Sequence, residues 1–313
     1  MPQPKVKLVV TGDDFGYCLR RNRGIVDCFQ AGAISNVSLL VNASSAKDAA
    51  DLAKRHHMPI GLHANLSEGL PVCPNLRSGS TLLNDDGFFH GKMGFRKELQ
   101  NGQLSMSEVE LELRAQVKLF CELTGHLPHH MDGHQHVHVL PEVRDIFAQV
   151  LSDYGIPFTR VPVEPGLLTC PWLPPTLREF YMQVEKDAKD SMGTFRRHGI
   201  RWPDAYLGLT TMGNNMSIAN IKRAIGNALD AVSSQEGEVT RDCETPAVDQ
   251  PITMELMVHP GYPSDPQQGG CGQGPDDFSQ SSDRQHELDT LMDPRLLAFY
   301  KQERIQLCAF KDF

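Results

Sequence analysis

The sequence predicts an α/β protein in which parallel strands, each followed by a helix, close into a single barrel. Short apolar runs alternate with longer helical patterns along the 313 residues, and such alternation is typical of a parallel sheet covered on both faces. The alternation repeats about eight times, which is the number of units that closes a (β/α) barrel. No linker-like stretch divides the chain, so we expect one catalytic domain over residues 1–313.

The N-terminal part of the chain shows this alternation directly. Lys7–Val10 predicts a buried first strand, and the following helix, Arg20–Gln30, has Gly32 in position to cap its C-terminal end. The pattern continues with a second strand at Val37–Val41, a helix that starts at Ser44 or Ser45 and ends near His56, and a third strand at Pro59–Leu66.

Two further helices carry clear start signals. Ser105 opens a helix that runs to about Leu123, with Glu108 three residues later as in a capping box, and Pro141 occupies the first turn of another helix. The remaining strands are predicted as a fourth strand ending with His129–Asp132, a fifth at Phe158–Val163, a sixth at Ala205–Leu209, a seventh at Ile252–Val258 and an eighth at Ile305–Phe310. The remaining helices are predicted at Leu177–Arg197, at Ile218–Val232 and near His286–Met292.

Three stretches interrupt the alternation and are predicted to be surface insertions. They cover Ser67–Gly102, Ser233–Gln250 and residues 264–284. The last one reads SDPQQGGCGQGPDDFSQSSDR, and its content of Gly, Ser and Asp is typical of a mobile loop or of plain disorder. We therefore expect a barrel that carries a mobile insertion at about 264–284.

Composition and charge exclude several classes of protein. Hydrophobic residues make up 40% of the chain and charged residues 22%, and the formal net charge is −9. A nucleic-acid binder needs a basic stripe for the phosphate backbone, and an anionic membrane would repel this charge, so we expect neither partner. No apolar run approaches the roughly 18 residues of a membrane span, and no secretory leader is apparent. None of the eight cysteines forms a CxxC pair, so the sequence predicts reduced thiols and a cytoplasmic location.

Acidic, imidazole and guanidinium side chains recur where the predicted strands end. Reactive groups of (β/α) barrels lie at the C-terminal ends of the strands, so these side chains are expected to share one rim. The candidates are Asp13, Asp14, His63, Asp132, His134, Arg160 and His259. Each has an ordinary alternative, because an aspartate often caps a helix and a strand histidine is often a core residue. Their shared position at one rim favours a functional interpretation.

The segment HHMDGHQHVHVL contains five of the thirteen histidines. As a strand, it would place His134 and His138 about 13 Å apart, too far for one ion, at ~3.3 Å per residue. As the start of a helix, it would place these two on one face, with His136 pointing elsewhere. The flanking glycine and proline favour the second interpretation. His134 is therefore the expected ligand and His138 a possible helper. His129 and His130 are expected to be packing or surface groups, and His136 is not expected to be a ligand.

Two imidazoles and one carboxylate at this rim suit a divalent metal ion. Three protein ligands leave open positions, as in catalytic zinc sites, and the same donors would hold Mn²⁺, Fe²⁺, Co²⁺ or Ni²⁺. A bound ion lowers the pKa of its water and polarises a carbonyl. Asp13 could take the proton of that water, Arg160 could hold the Asp13 carboxylate in place, and His259 could protonate a leaving group. The set predicts metal-assisted hydrolysis of an amide or an ester.

Four motifs together resemble the YdjC-like carbohydrate deacetylases, the family of chitooligosaccharide deacetylase. They are TGDDFG, GLHANLSEGLPV, HHMDGHQHVHVLP and MELMVHPGYP, they span nearly the whole chain, and they look most similar to the animal members. The resemblance implies an irregular (β/α) barrel of the polysaccharide-deacetylase type with surface insertions, and removal of acetyl groups from N-acetylated sugars. It assigns Asp13 as the base, Asp14, His63 and His134 as metal ligands, His259 as the acid and Arg160 as the partner of the base.

The resemblance also implies a cofactor and a partner. Family members are usually assigned Mg²⁺, but two imidazole ligands favour Zn²⁺ or another transition metal, because Mg²⁺ prefers oxygen. The family's Asp-Ser-His is Asp132-Gly133-His134 here, which removes a hydroxyl group but no ligand. The expected partner is a small carbohydrate substrate, with a homodimer as a possibility. The alternatives are a hydrolase that uses the same site on another small amide or ester, and a non-catalytic carbohydrate-binding relative.

Overall fold

A computed structural model describes residues 5–76, 79–239 and 250–313. Its centre is one sheet of seven strands, and every pairing in it is parallel. The strands are β1 (Val6–Phe15), β2 (Asn36–Leu39), β3 (Ile60–Ala64), β4 (Met131–Gly133), β5 (Ala205–Leu207), β6 (Ile252–Val258) and β7 (Ile305–Cys308). Parallel pairing places the C-terminal ends of all these strands at one edge of the sheet.

The order of the strands is β4-β3-β2-β1-β6-β5, and β7 lies beside β1. At ten residues, β1 is long enough to pair along one side with two strands in turn. Its first half, Val6–Val9, pairs with β7, whereas Thr11 and the residues after it pair with β2. On the other side, β6 runs along Val6–Gly12. The acidic end of β1 therefore stands at the middle of the rim.

Ten α-helices cover the sheet in the described part of the chain. They are α1 (Leu19–Gln30), α2 (Ala46–His56), α3 (Lys92–Gln100), α4 (Met106–Thr124), α5 (Val143–Tyr154), α6 (Pro175–Arg197), α7 (Ile218–Val239), α8 (Asp277–Gln280), α9 (Asp283–Leu291) and α10 (Pro294–Gln302). In α4, the buried Val109, Leu113, Val117 and Phe120 recur at a spacing of three or four residues, so one face packs on the core. Among the residues described, no helix combines the length and the apolar character needed to cross a bilayer.

The predicted fifth strand, Phe158–Val163, is wrong. Only Phe158 forms a bridge, with Arg201, and its carbonyl accepts a hydrogen bond from the Met131 amide at 3.0 Å. Prolines 157 and 162 flank and interrupt this run, and a proline has no N–H to give to a ladder. The sheet is consequently a half-barrel of parallel strands, with seven strands in place of the predicted eight. The predicted eighth strand is β7, which ends at Cys308 before a short 3₁₀ turn.

The three predicted insertions differ in structure. The stretch Ser67–Gly102 contains α3, and the start of Ser233–Gln250 continues α7 to Val239, whereas residues 240–249 lie outside the described part. The segment 264–284 contains α8 and packs against the rim. Its Gly270 amide donates to the Tyr17 carbonyl at 2.9 Å, and its Cys271 carbonyl accepts from the Leu70 amide at 2.8 Å. The mobility of this segment stays a prediction.

Candidate metal centre and active site

The rim of the sheet brings together the acidic and imidazole side chains of three strands. Asp13 and Asp14 lie in the last part of β1, and His63 lies in β3 opposite Asp132 of β4. The backbone of Asp14 has a positive φ of 59°, in a region where non-glycine residues are uncommon. This conformation interrupts the alternation of the strand, so that Asp13 and Asp14 do not have to point to opposite faces. His134 follows β4 directly.

Three ligand atoms converge at the centre of this rim. Asp14 Oδ1 lies 3.5 Å from His63 Nε2 and 3.3 Å from His134 Nδ1, and the two ring nitrogens lie 3.3 Å apart. Asp14 Oδ1 is buried and forms no hydrogen bond with any described residue. A buried carboxylate oxygen without a partner is costly, so the arrangement fits a bound cation. These three residues are the set that the sequence predicts as metal ligands.

The outer nitrogen of each histidine contacts a carboxylate. His63 Nδ1 lies 2.5 Å from Asp132 Oδ1, and His134 Nε2 lies 2.9 Å from Glu68 Oε2. A carboxylate can only accept, so each outer nitrogen donates its N–H, and the inner nitrogen is the one that can give a lone pair to a metal ion once any proton on it is displaced. This pairing of metal, histidine and carboxylate is the usual one around protein-bound metals. The donor set therefore fits a divalent ion in chemistry as well as in spacing.

The charge of the cluster points the same way. Burial lowers the pKa of His63, but Asp13 and Asp132 outweigh it and raise the pKa to about 10. Burial likewise lowers the pKa of His134, but the neighbouring carboxylates of Asp14 and Glu68 outweigh it and raise the pKa to about 9. The carboxylates thus hold protons on both rings when no ion is bound. A divalent cation held by these residues would supply that positive charge instead, because metal binding displaces protons from the ligands.

Beside the metal centre, Arg160 holds Asp13 through two hydrogen bonds. Arg160 Nη1 lies 2.7 Å from Asp13 Oδ2, and Nη2 lies 2.9 Å from Oδ1. The same guanidinium contacts Glu255 Oε1 at 2.9 Å and Asp132 Oδ2 at 3.3 Å. Burial lowers the pKa of Arg160, but these three carboxylates outweigh it and keep the group charged. The predicted pairing of Arg160 with the base candidate is present, and the guanidinium contacts two further acids.

His259 follows β6 directly and also lies near Asp13. Its Nε2 lies 4.0 Å from Asp13 Oδ2, and its ring packs edge-on against Phe278 with centroids 5.2 Å apart. Its backbone amide donates to Glu287 at 2.6 Å. Burial holds the pKa of His259 well below its usual value, and the Arg284 guanidinium adds to this effect. The side chain is therefore neutral near pH 7.

The histidine run after β4 departs from the sequence prediction. Gln135 and His136 have φ values of 54° and 60°, so a left-handed kink interrupts the helical turn. The kink brings His136 to the lining of the cavity, and His136 does not belong to a potential metal-ligand group of the described residues. His138 is buried, and its Nε2 lies 2.9 Å from the Arg160 carbonyl. His138 therefore supports Arg160 through its backbone and does not contact the three metal-ligand candidates.

The two histidines before the rim have packing roles, as predicted. His130 is buried, stacks on Phe310 with centroids 4.2 Å apart, and lies 3.1 Å from Asp132 Oδ2 through Nε2. His129 is half-buried and stacks on His126 with centroids 5.0 Å apart. Both lie at the opposite end of β4 from the metal-centre residues.

Several residues of the site are not identified by the sequence analysis. Glu68 contacts His134, Glu255 contacts Arg160, and Arg21 Nη1 lies 3.2 Å from Asp14 Oδ2. A signal existed for Glu255, because a charge inside the apolar run ITMELMV needs a buried partner. No local pattern distinguishes Glu68 or Arg21 from surface residues.

The site opens into a cavity of about 480 Å³. Asp13, Asp14, His63, His134 and His259 line its floor, and the side chains of α6 and of the segment 264–284 line its walls. Pockets of 300–1,000 Å³ are typical of small-ligand sites. The cavity therefore has room for a small substrate directly above the candidate reacting groups.

Two curated relatives resemble this chain over its full length, and a third resembles about half of it. A carbohydrate deacetylase from Danio rerio is 70% identical, with 100% of both chains covered. A carbohydrate deacetylase from Homo sapiens is 49% identical, with 100% of this chain and 92% of the relative covered. A chitooligosaccharide deacetylase from Serratia marcescens is 33% identical over 48% of this chain and 57% of its own length.

One solved structure shares the fold of this chain, and one family model matches most of its length. The structure of an Enterococcus faecalis V583 protein, described as a cellobiose-phosphate cleavage protein, matches with a TM-score of 0.66 at 19% identity and covers 98% of both chains. That likeness shows the same fold. The model of the YdjC-like protein family matches residues 7–302. The chain belongs to the YdjC-like protein family.

Proposed function

We propose that this chain is a metal-dependent deacetylase that hydrolyses the acetamido group of N-acetylated sugars. Relatives that are 49% and 70% identical carry the name carbohydrate deacetylase. One observation carries the proposal: in the described structure, Asp14 Oδ1 has no hydrogen-bond partner and faces the inner nitrogens of His63 and His134. A base and an acid candidate lie next to this donor set, as the hydrolysis of an unactivated amide requires.

Asp14, His63 and His134 would hold the ion. When it is bound, a divalent ion lowers the pKa of water and polarises the acetyl carbonyl. Two nitrogen donors and one oxygen donor favour Zn²⁺ or another transition metal over Mg²⁺, which prefers oxygen ligands. The remaining steps depend on the side chains around this centre.

Asp13 is the proposed general base. Its carboxylate lines the cavity floor and is held at both oxygens by Arg160. Each oxygen has a second lone pair, so the carboxylate can still accept the proton of the attacking water. The fixed guanidinium orients this carboxylate, and orientation of a reacting group is a large part of catalysis.

His259 is the proposed acid for the leaving amine. Because its low pKa leaves it neutral, it must first receive a proton. Asp13 Oδ2 lies 4.0 Å from His259 Nε2 and is a suitable source once it has taken a proton from water. His259 then passes the proton to the nitrogen that leaves the acetyl group. The two side chains share one proton in this scheme.

The cavity walls suit a sugar ring. Leu177, Phe180 and Met257 supply apolar surface, and Asn215 supplies an amide within the same cavity. Sugar rings offer apolar faces and hydroxyl edges, so a wall of this mixed composition matches them. We also propose that residues 1–313 act as one catalytic domain of the irregular (β/α) barrel type. In this barrel, a single bridge between Phe158 and Arg201 is found where a regular barrel would have a strand.

The test is acetate release from N,N′-diacetylchitobiose by the full chain, after removal of bound metal and addition of single ions. We expect release with Zn²⁺ or another transition metal, and none without an ion. Parallel assays on an O-acetyl ester of the same sugar test the alternative of an esterase. No release from folded protein with any ion would contradict the proposal and favour a non-catalytic relative.

Two variants separate the proposed roles. Asp13→Asn removes the base and leaves the three metal-ligand candidates intact, so turnover should be lost while metal binding is retained. His134→Ala removes a ligand, so both should be lost. Full activity of Asp13→Asn would contradict the role of Asp13.

A further inference from the structure

A line of hydrogen bonds connects the Gly-rich segment 264–284 to the metal centre. The Asp276 backbone amide donates to the Tyr17 hydroxyl at 2.9 Å. The Tyr17 hydroxyl donates to Glu68 Oε1 at 3.0 Å, and Glu68 Oε2 accepts from His134 Nε2 at 2.9 Å. Neither Tyr17 nor Glu68 belongs to a potential metal-ligand group in the described structure.

We propose that Tyr17 and Glu68 are positioning residues that couple the packing of segment 264–284 to metal binding at His134. The inference rests on the metal centre of the proposed function. It adds a role for two residues and for a segment that is far away in sequence from the ligand they support.

The direction of the hydrogen bonds is fixed from one end. A backbone amide can only donate, so the Tyr17 oxygen accepts from Asp276 and its proton is directed to Glu68. Glu68 accepts from Tyr17 at one oxygen and from His134 at the other. Burial raises the pKa of Tyr17, and the Glu68 carboxylate adds to this, so the hydroxyl keeps its proton. His134 therefore carries a proton on Nε2, and Nδ1 is the nitrogen that is available to an ion once any proton on it is displaced.

The segment contacts both loops that carry the line. Its Gly270 amide donates to the Tyr17 carbonyl at 2.9 Å, and its Cys271 carbonyl accepts from the Leu70 amide at 2.8 Å, two residues after Glu68. Cys18 Sγ and Ser264 Oγ lie 3.2 Å apart. Displacement of the segment would therefore disturb the Tyr17 and Glu68 loops together.

Metal binding would fix the line from the opposite end. An ion at Nδ1 would take the place of any proton there and hold the His134 ring in one orientation, with its Nε2–H directed at Glu68. A fixed donor favours the arrangement of the hydrogen bonds linked to it, which carries the effect to Tyr17 and the Asp276 amide. Coupling between two sites is reciprocal, so the ion should stabilise the packed segment and the packed segment should increase affinity for the ion.

The test compares Tyr17→Phe with Tyr262→Phe in the full chain. Tyr262 donates its hydroxyl hydrogen bond to Asp27 at 2.9 Å and takes no part in the line, so it is a matched control. The Kd for Zn²⁺ is measured by titration calorimetry on metal-free protein. Hydrogen exchange of peptides that contain Asp276 is measured with and without Zn²⁺. Glu68→Gln is the second variant, since it keeps the size of the side chain and removes its charge.

For the wild type, we expect Zn²⁺ to slow exchange at Asp276. In Tyr17→Phe and Glu68→Gln, the Kd should rise about 10- to 100-fold, as for other groups that orient a metal ligand, and the effect of Zn²⁺ on exchange should disappear. Tyr262→Phe should match the wild type in both. Wild-type Kd and retained protection in Tyr17→Phe would overturn the coupling, and so would a wild-type chain that binds no Zn²⁺.

The two proposals can fail separately. A wild-type chain that binds Zn²⁺ and shows the coupling, but releases no acetate, would contradict only the deacetylase activity. If the chain releases acetate, but Tyr17→Phe and Glu68→Gln both keep the metal affinity of the wild type, only the coupling is contradicted.

Discussion

Replacement of Arg160 by methionine is the most informative change at this site. Arg160 is fully buried, and its guanidinium contacts the carboxylates of Asp13, Asp132 and Glu255 at 2.7 to 3.3 Å. Methionine replaces the aliphatic part of the side chain but carries no charge, so the three acids lose their shared cation. The change separates the electrostatic role of the residue from its role in packing.

The expected loss of stability follows from burial. Removal of one partner from a buried ion pair costs about 3–5 kcal/mol, because the other charge stays buried and unpaired. Arg160 has three such partners. Of these, only Asp132 also has His63 close by to balance its charge, with His63 Nδ1 2.5 Å from Asp132 Oδ1. We therefore expect a loss of about 4 kcal/mol in the free energy of unfolding near pH 7. Turnover should fall by a factor of about 10² or more, since the base loses its fixed orientation.

The loss of stability should depend on pH in a defined direction. Burial raises the pKa of Asp132, but Arg160 and His63 outweigh it and hold the pKa well below 3.8. A carboxylate with a depressed pKa contributes stability above its unfolded value and loses it as the pH falls. The difference between the wild type and Arg160→Met should thus be largest at neutral pH and shrink below about pH 4.

Urea denaturation at pH 7 and at lower pH measures both quantities. Arg201→Met is the matched control, because Arg201 is exposed and its guanidinium stacks on Phe158 with no carboxylate within ion-pair distance among the described residues. It should cost well under 1 kcal/mol. A loss below 1 kcal/mol in Arg160→Met, or a loss that is equal at all pH values, would refute the reasoning.

Three further predictions concern the metal centre and a buried acid. Treatment of the wild type with a chelator should stop acetate release and lower the melting temperature, and Zn²⁺ should restore both, because a ligand that binds only the folded state stabilises it; an unchanged melting temperature would argue against a bound ion. His63→Ala should abolish metal binding in calorimetry, whereas retention of the wild-type Kd would remove His63 from the ligand set. Burial raises the pKa of Glu164 from 4.5 to about 7, despite hydrogen bonds from Thr210 and its neighbours. The protonated carboxyl of Glu164 therefore stabilises the folded state below pH 4.5, and this stabilisation is lost as the pH rises through about 7. The loss in the free energy of unfolding is roughly 3 kcal/mol. The free energy of unfolding of Glu164→Gln, measured by urea denaturation, should therefore increase relative to that of the wild type as the pH rises. A constant difference between pH 4.5 and 8 would contradict this.

The fold shows where sequence patterns succeed and where they fail. β6 and the predicted seventh strand have the same bounds, Ile252–Val258, because an uninterrupted apolar run has few other structures open to it. The run Phe158–Val163 looks similar in composition, but its prolines withhold ladder hydrogen bonds and only Phe158 forms a bridge. Composition alone therefore overstated the number of strands.

The candidate site shows a similar division. Asp14, His63 and His134 follow from strand ends and from the family resemblance, and their ligand atoms do converge. His136 does not follow from spacing, because periodicity assumes regular backbone and a left-handed kink at Gln135 redirects the chain.

By itself, the sequence determined the alternation of strands and helices, the side chains at the strand ends and the resemblance to one family. These depend on local apolar patterns and on residues that stand in known motifs. Only the tertiary structure decided which carboxylates orient the histidines, since Glu68 and Asp132 meet their rings through contacts 66 and 69 residues apart in the chain. Such contacts are set by the packing of whole elements, and no local pattern records them. The same reason places Tyr17 between a metal-ligand candidate and an amide 259 residues further along.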